Sequence, residues 1–200
     1  ASEAPGGAGR RAGLALAVAL AATVAGCSSP SAPAFDLSAP GQPGRGGGGT
    51  GTQLVVAEPN AISVLESERI VARDAAGSVS YMSDAQWADR LPRLFQARLI
   101  QTFENTSRLK AVGRPGEGVV ADFQVNTDLR AFNFDAARSE AVVSVTAKVL
   151  NVKTGAIVKT RVFGARLPVP DNSGSTVAQV LDRALSSVLL DITRWVGGGR

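Results

Sequence analysis

Val119-Val120-Ala121-Asp122-Phe123-Gln124-Val125-Asn126-Thr127-Asp128-Leu129-Arg130-Ala131 is the stretch on which the fold turns. Val119, Ala121, Phe123, Val125, Thr127, Leu129 and Ala131 fall on one side, and Asp122, Gln124, Asn126, Asp128 and Arg130 on the other. Side chains of a strand alternate between the faces of its sheet, so one face rests on a core and the other is wet. A sheet of this kind needs a cover, and the flanking sequence supplies two helices.

Upstream, Trp87, Leu91, Leu94, Phe95, Leu99 and Phe103 recur at helical intervals. Ser83 and Gln86 have capping-box spacing, but Pro92 breaks a helix interior. The pattern predicts a short turn around Asp84 to Asp89 and a main helix from Leu91 to Asn105. Downstream, Val177, Val180, Leu181, Ala184, Leu185, Val188, Ile192 and Trp195 make one apolar stripe, so a second helix should begin at Ser175 or Thr176.

The remaining apolar runs read as strands joined in hairpins. Leu54-Val55-Val56 is stopped by Pro59, with Ile62 and Leu65 as anchors in the connection after it. Glu68 to Arg73 and Ser78 to Met82 flank the turn Asp74-Ala75-Ala76-Gly77, and Glu140 to Val152 and Ala156 to Leu167 flank Lys153-Thr154-Gly155. Arg108 to Val112 adds a short strand, and Phe35-Asp36-Leu37 has strand spacing. The expected class is α+β: a mainly antiparallel sheet of about six strands with two amphipathic helices packed on one face.

The N-terminal quarter is of another kind. Arg10-Arg11 precede the apolar run Ala12 to Val24, which is the length of a signal-peptide apolar region and short of the ~20 residues of a membrane-spanning helix. The run closes in small residues at Val24-Ala25-Gly26-Cys27, and Cys27 is the one cysteine of the chain. From Ser28 to Gly51 the residues are mostly Ser, Pro, Ala and Gly, a composition that buries too little to order itself. As a flexible coil of about 24 residues this stretch would span roughly 25 to 30 Å. The expected division is 1–26 signal peptide, 27–51 lipidated cysteine and tether, 52–196 α+β domain, and 197–200 disordered tail.

Composition narrows the chemistry. With no histidine and one cysteine, no His-based triad, Cys/His zinc cluster or internal disulfide can form, and no metal or cofactor is expected. Residues 27–200 carry a net charge of +3 with no basic stripe, which argues against nucleic acid. Ser107-Arg108-Leu109-Lys110 and Lys153-Thr154-Gly155 spell SxxK and KTG, but Ser107 follows a helix instead of opening one, and Gly155 serves a hairpin turn. Gly44, Gly46 and Gly49 spell GxGxxG without the strand and helix a dinucleotide loop requires. Asp182 with Arg183, and Asp191 with Arg194, read as the solvated face of the last helix. The chain is therefore expected not to be an enzyme. Trp87 and Trp195 lie on apolar stripes and read either as core or, with Tyr81, as a contact site for a partner or lipid.

Val24 to Cys27 resembles the lipobox of bacterial lipoproteins. With Glu68-Arg69-Ile70-Val71-Ala72-Arg73, Tyr81, Trp87-Ala88-Asp89-Arg90-Leu91-Pro92-Arg93-Leu94 and Asp191-Ile192-Thr193-Arg194-Trp195, the chain from about Phe35 to Val196 resembles the ABC-type transport auxiliary lipoproteins. That resemblance implies lipidation of Cys27 and a non-catalytic, periplasm-facing role beside a transporter of the mammalian-cell-entry (MCE) type, which moves lipids or other hydrophobic molecules. Its partners would be the permease, the ATPase and the substrate-binding MCE protein, together with the membrane that takes the anchor. By the family's sorting rule, Ser28 directs the anchor to the outer membrane. The alternative is a self-assembling envelope scaffold or pore-like lipoprotein, a homo-oligomer whose open sheet edges pair with no transporter partner.

Overall fold

The computed structural model describes residues 31–42 and 51–198. The signal-peptide segment, Cys27 and the run Gly46 to Gly49 lie outside the described residues. Among the described residues the chain forms β1 (Ala34–Phe35), β2 (Gln53–Val56), β3 (Asn60–Ala61), β4 (Arg69–Arg73), β5 (Val79–Trp87), α1 (Leu91–Thr106), β6 (Ala111–Gly113), β7 (Phe123–Asp135), β8 (Glu140–Asn151), β9 (Ile157–Pro168) and α2 (Gly174–Gly197). A single 3-10 turn covers Ser63–Leu65.

The alternating stretch becomes β7, the hub of the sheet. Along one edge β7 pairs antiparallel with β8 from Phe123↔Asn151 to Asp135↔Glu140, and β8 pairs with β9. Its other edge is shared by three parallel strands: β2 at Leu54↔Phe123, β3 at Asn60↔Asp128 and β4 at Val71↔Asn133. Outside these, β6 lies parallel to β2, β5 antiparallel to β4, and β1 parallel to β5.

The α+β class with two helices holds, but the sheet is mixed rather than mainly antiparallel and has nine strands rather than six. The cause is the position of α1. Parallel neighbours need a connection of a dozen or more residues, and the segment containing α1 carries the chain from β2, β3 and β4 to β7. Sequence adjacency finds hairpins and misses such crossovers, and β1 and β3 have only two residues each, too few to show alternation.

Three local expectations also change. Ser83 to Gln86 does not cap a helix: β5 continues to Trp87, with Ala85 and Trp87 buried on alternate positions. α1 then begins at Leu91, where Pro92 sits in the first turn and costs no interior hydrogen bond. The alternation of β7 breaks at an irregularity between Leu129 and Ala131, after which Phe132 and Phe134 take the core positions. Of the two anchors, Leu65 is buried and Ile62 is 53% exposed.

Both helices and the inward residues of the sheet share one core cluster, including Phe95, Phe103, Val125, Phe132, Val145, Leu181 and Leu185. α2 packs on β5, β7, β8 and β9, α1 packs near β2 and β6, and the helices touch. Ser173 caps α2 by accepting from the Thr176 amide, while Asp84 accepts from the Gly174 amide at 2.8 Å. These carboxylate and hydroxyl oxygens answer the unpaired amides of a helix start. Gly77 and Gly155 take φ of +80° and +70° in the two expected turns, conformations that suit glycine.

Part of the stretch expected to be tether is instead docked on the domain. The Pro33 carbonyl accepts from the Gln86 amide at 3.0 Å, Leu37 is 3% exposed, and Ser38 donates from its amide and hydroxyl to Asp182 at 2.6 and 2.8 Å. Arg98 of α1 pairs with Asp36, and Asn105 reaches the Pro40 carbonyl at 3.5 Å. Two apolar residues at strand spacing, followed by polar groups with partners on both helices, hold this strap. At the other terminus, α2 continues through Gly197, where the tail was expected to begin.

Candidate functional site

The strap runs along α1 from its N-terminal end, where Ala88 donates to Phe35, to its C-terminal end, where Asn105 meets Pro40. The opposite pole from the strap's entry holds the C-terminal ends of α1 and α2 beside the starts of β2, β7 and β9. Two cavities open there, of about 590 and 450 Å³, each within the roughly 300 to 1,000 Å³ usual for small-molecule sites. They meet at Leu109 and Gly197, which line both.

The two cavities differ in character. The larger is walled by Leu54, Leu109, Phe123, Val149, Val158 and Val196, with Thr52, Asn151 and Lys159 as its polar groups. The smaller is walled by Thr106, Ser107, Arg108, Thr193 and Arg194, with Leu109 and Leu190 as its apolar side chains. Among the described residues no carboxylate lines either cavity.

Each wall follows from local sequence. Leu54 and Val149 are inward residues of β2 and β8 and are almost fully buried. Ile157-Val158 puts two apolar residues side by side at the start of β9, so alternation cannot bury both; they are 58% and 51% exposed. Lys159 spans its stem over the end of α2 and donates to the Trp195 carbonyl at 3.3 Å, with its ammonium 5.8 Å from the indole centroid. It thereby answers a terminal carbonyl of α2. Arg194 pairs with Asp191 at 3.1 Å. Arg108 makes no ion pair among the described residues.

The residues nominated from sequence are scattered. Trp195 packs edge-on against Phe163 with ring centroids 5.5 Å apart and is not among the residues lining either cavity. Trp87 is 1% exposed and packs edge-on against Phe132 at 5.7 Å, so it belongs to the core and offers no surface to a partner. Tyr81 lies on β5, with the Arg69 guanidinium 3.9 Å over its ring. Cys27 lies outside the described residues. Ser107 of the SxxK coincidence donates to the Phe103 carbonyl at 2.6 Å as the C-cap of α1, and Lys153-Thr154-Gly155 is the β8–β9 turn.

The sequence reading missed Arg108, Leu109, Phe123 and Val158 as wall residues. The one local signal was the adjacent apolar pair Ile157-Val158, which a one-sided strand cannot hide. The carboxylates on the wet face of β7 and just before it are structural: Asp128 accepts from Lys148 and Asn60 at 2.9 and 3.1 Å, and Asp122 from the Gln53 amide at 3.0 Å. Among the described residues no group of three His, Cys, Asp or Glu could hold a metal, and no helix is long and apolar enough to cross a membrane.

A family model described as the ABC-type transport auxiliary lipoprotein component matches residues 35–193. An uncharacterised protein of Bradyrhizobium diazoefficiens, bll6063, is 25% identical over 162 residues, covering 80% of this chain and 44% of that protein. The chain thus spans less than half the length of that curated relative. The crystal structure of XCC0632 from Xanthomonas campestris, assigned to the family DUF330, superposes with a TM-score of 0.73 at 24% identity, covering 83% of this chain and 96% of that one. A second crystal structure, of an uncharacterised protein, gives a TM-score of 0.61 at 14% identity, covering 80% and 95%. Both likenesses are of fold.

Proposed function

The chain belongs to the ABC-type transport auxiliary lipoprotein family, and we propose that it is a lipid-anchored envelope protein serving an MCE-type transporter of lipids or other hydrophobic molecules. The match over residues 35–193 is the observation that carries this reading. In it, Cys27 takes the lipid, Ser28 directs the anchor to the outer membrane, and the domain faces the periplasm without catalysing a reaction. The permease, the ATPase and the substrate-binding MCE protein are its partners.

The docked strap supports a closer tether than composition alone implied. From Cys27 to Pro33, the first residue to accept a hydrogen bond from β5, the chain has six steps and reaches at most about 20 Å. An anchor at Cys27 would keep Pro33, and with it the strap's entry beside β5, within about that distance of the membrane. One acyl chain binds a membrane only marginally and stable attachment takes two or more such signals, which a multiply acylated cysteine supplies. Growth with labelled palmitate checks the first step: the wild-type chain takes up label and Cys27→Ser does not. Equal labelling of both would remove Cys27 from the scheme.

A further inference from the structure

We propose that the paired cavities at the C-terminal ends of α1 and α2 form one binding site for an anionic amphiphile with a single acyl chain. The tail lies in the larger cavity against Phe123, Val149 and Val158, and the headgroup lies in the smaller one beside Arg108. This deepens the transport reading, on which it rests only for the source of the ligand.

The division of lining chemistry argues for an amphiphile. Six of the ten residues around the larger cavity present apolar side chains, whereas five of the eight around the smaller one present hydroxyls or guanidinium groups. The hydroxyls of Thr106, Ser107 and Thr193 already donate to the Thr102, Phe103 and Leu190 carbonyls, so the polar demand of the smaller cavity falls on Arg108. A wholly apolar ligand would leave it unanswered, and a small polar one would leave the apolar wall wet. Leu109, common to both cavities, marks the junction of tail and head.

Charge selects the headgroup. Two helix C-termini converge here, each equivalent to about −0.5 of an elementary charge. Asp191 offsets Arg194, which leaves Lys159 and Arg108 against the helix ends. The balance is a net positive charge of about one, with no lining carboxylate among the described residues to cancel it. A carboxylate or a phosphate monoester satisfies that balance, and a cationic head does not.

The test uses the full chain in envelope membranes and photoreactive 16-carbon probes carrying a carboxylate, a phosphate or a neutral alcohol as headgroup, with labelled peptides mapped by mass spectrometry. Both anionic probes should label the segments around Phe123, Val149 and Val158, at least tenfold more than the alcohol, and the stronger of the two identifies the native headgroup class. Arg108→Glu should cut anionic labelling about tenfold and leave the alcohol's unchanged. Val158→Asp, at a half-exposed position, should reduce labelling by all three. Shortening the probe should weaken labelling by up to about fourfold per methylene. Equal labelling by alcohol and anions, or insensitivity to both substitutions, overturns the assignment. If transporter subunits still co-purify while the cavities take no label, the amphiphile site is wrong and the transport reading stands; if labelling persists without transporter subunits, the reverse holds. Loss of co-purification in Arg108→Glu without any probe labelling would reassign the cleft to a partner chain and likewise overturn the proposal.

Discussion

Thr127 shows what a strand pattern conceals at the scale of one residue. It occupies an inward position of β7, is 1% exposed, and its hydroxyl has no hydrogen-bond partner among the described residues. A buried unsatisfied donor costs about 1 to 3 kcal/mol, so Thr127→Val should stabilise the domain by about 1 kcal/mol, read as a higher urea midpoint at unchanged slope. A lower midpoint would mean the hydroxyl has a partner after all. Trp87→Ala should do the opposite, destabilising by about 3 to 5 kcal/mol by leaving a cavity against Phe132. At this scale, sequence spacing placed Trp87 on an apolar stripe, yet a stripe reports only that one face is apolar. Whether that face meets core or partner depends on what folds over it, and here Phe132 does, brought inward by the irregularity in β7.

At the scale of elements, the strap β1 and the residues after it are the least legible part of the fold and among the most consequential. Phe35-Asp36-Leu37 shows the spacing of a strand, but its partners are 50 or more residues away, at Gln86, Arg98 and Asp182. Asp182→Ala removes both hydrogen bonds from Ser38 and should loosen the strap by about 1 kcal/mol, the discount for exposure included. Faster amide exchange confined to residues 33–40 would register it; uniform exchange over the domain would place the strap in the global fold. The strap is also acid-sensitive. Burial tends to raise the Asp36 carboxyl, but the Arg98 guanidinium and the Leu37 amide outweigh it and hold its pKa below the usual 3.8. Asp128 is lowered too, by the Lys148 ammonium first, against burial, with Asn60 assisting. A depressed folded-state pKa gives stability that is present above the ordinary value and lost as pH falls through the folded one. The urea midpoint should therefore be insensitive to these groups between about pH 7 and 5 and fall below about pH 4, and the fall should shrink in Asp36→Asn. An acid limb of the same size in Asp36→Asn would remove Asp36 from the account.

For the whole molecule, hairpins and helices were legible because their signals are local: alternation, a 3.6-residue stripe, a glycine at a turn. Leu91 to Asn105 was expected as a helix and Leu91–Thr106 is one. The parallel pairings of β2, β3 and β4 with β7 were not legible, because a crossover leaves no mark at the residues it brings together. The cavities were hidden for the same reason, since their walls come from the ends of α1, α2 and β8 and the starts of β2, β7 and β9. Together, the strap and the cavities give the domain two distinct ends, the strap's entry beside β5 at one and the cavities, lined with apolar and cationic groups, at the other. In-cell crosslinking tests the proposed role as an anchored accessory to a transporter most directly. With a photoreactive residue at Val158, the wild-type chain should recover a permease, an ATPase or an MCE-domain subunit, and Cys27→Ser should lose that product. Recovery of none of these from cells that express the lipoprotein at its native level, or recovery only of other copies of this chain, would contradict it.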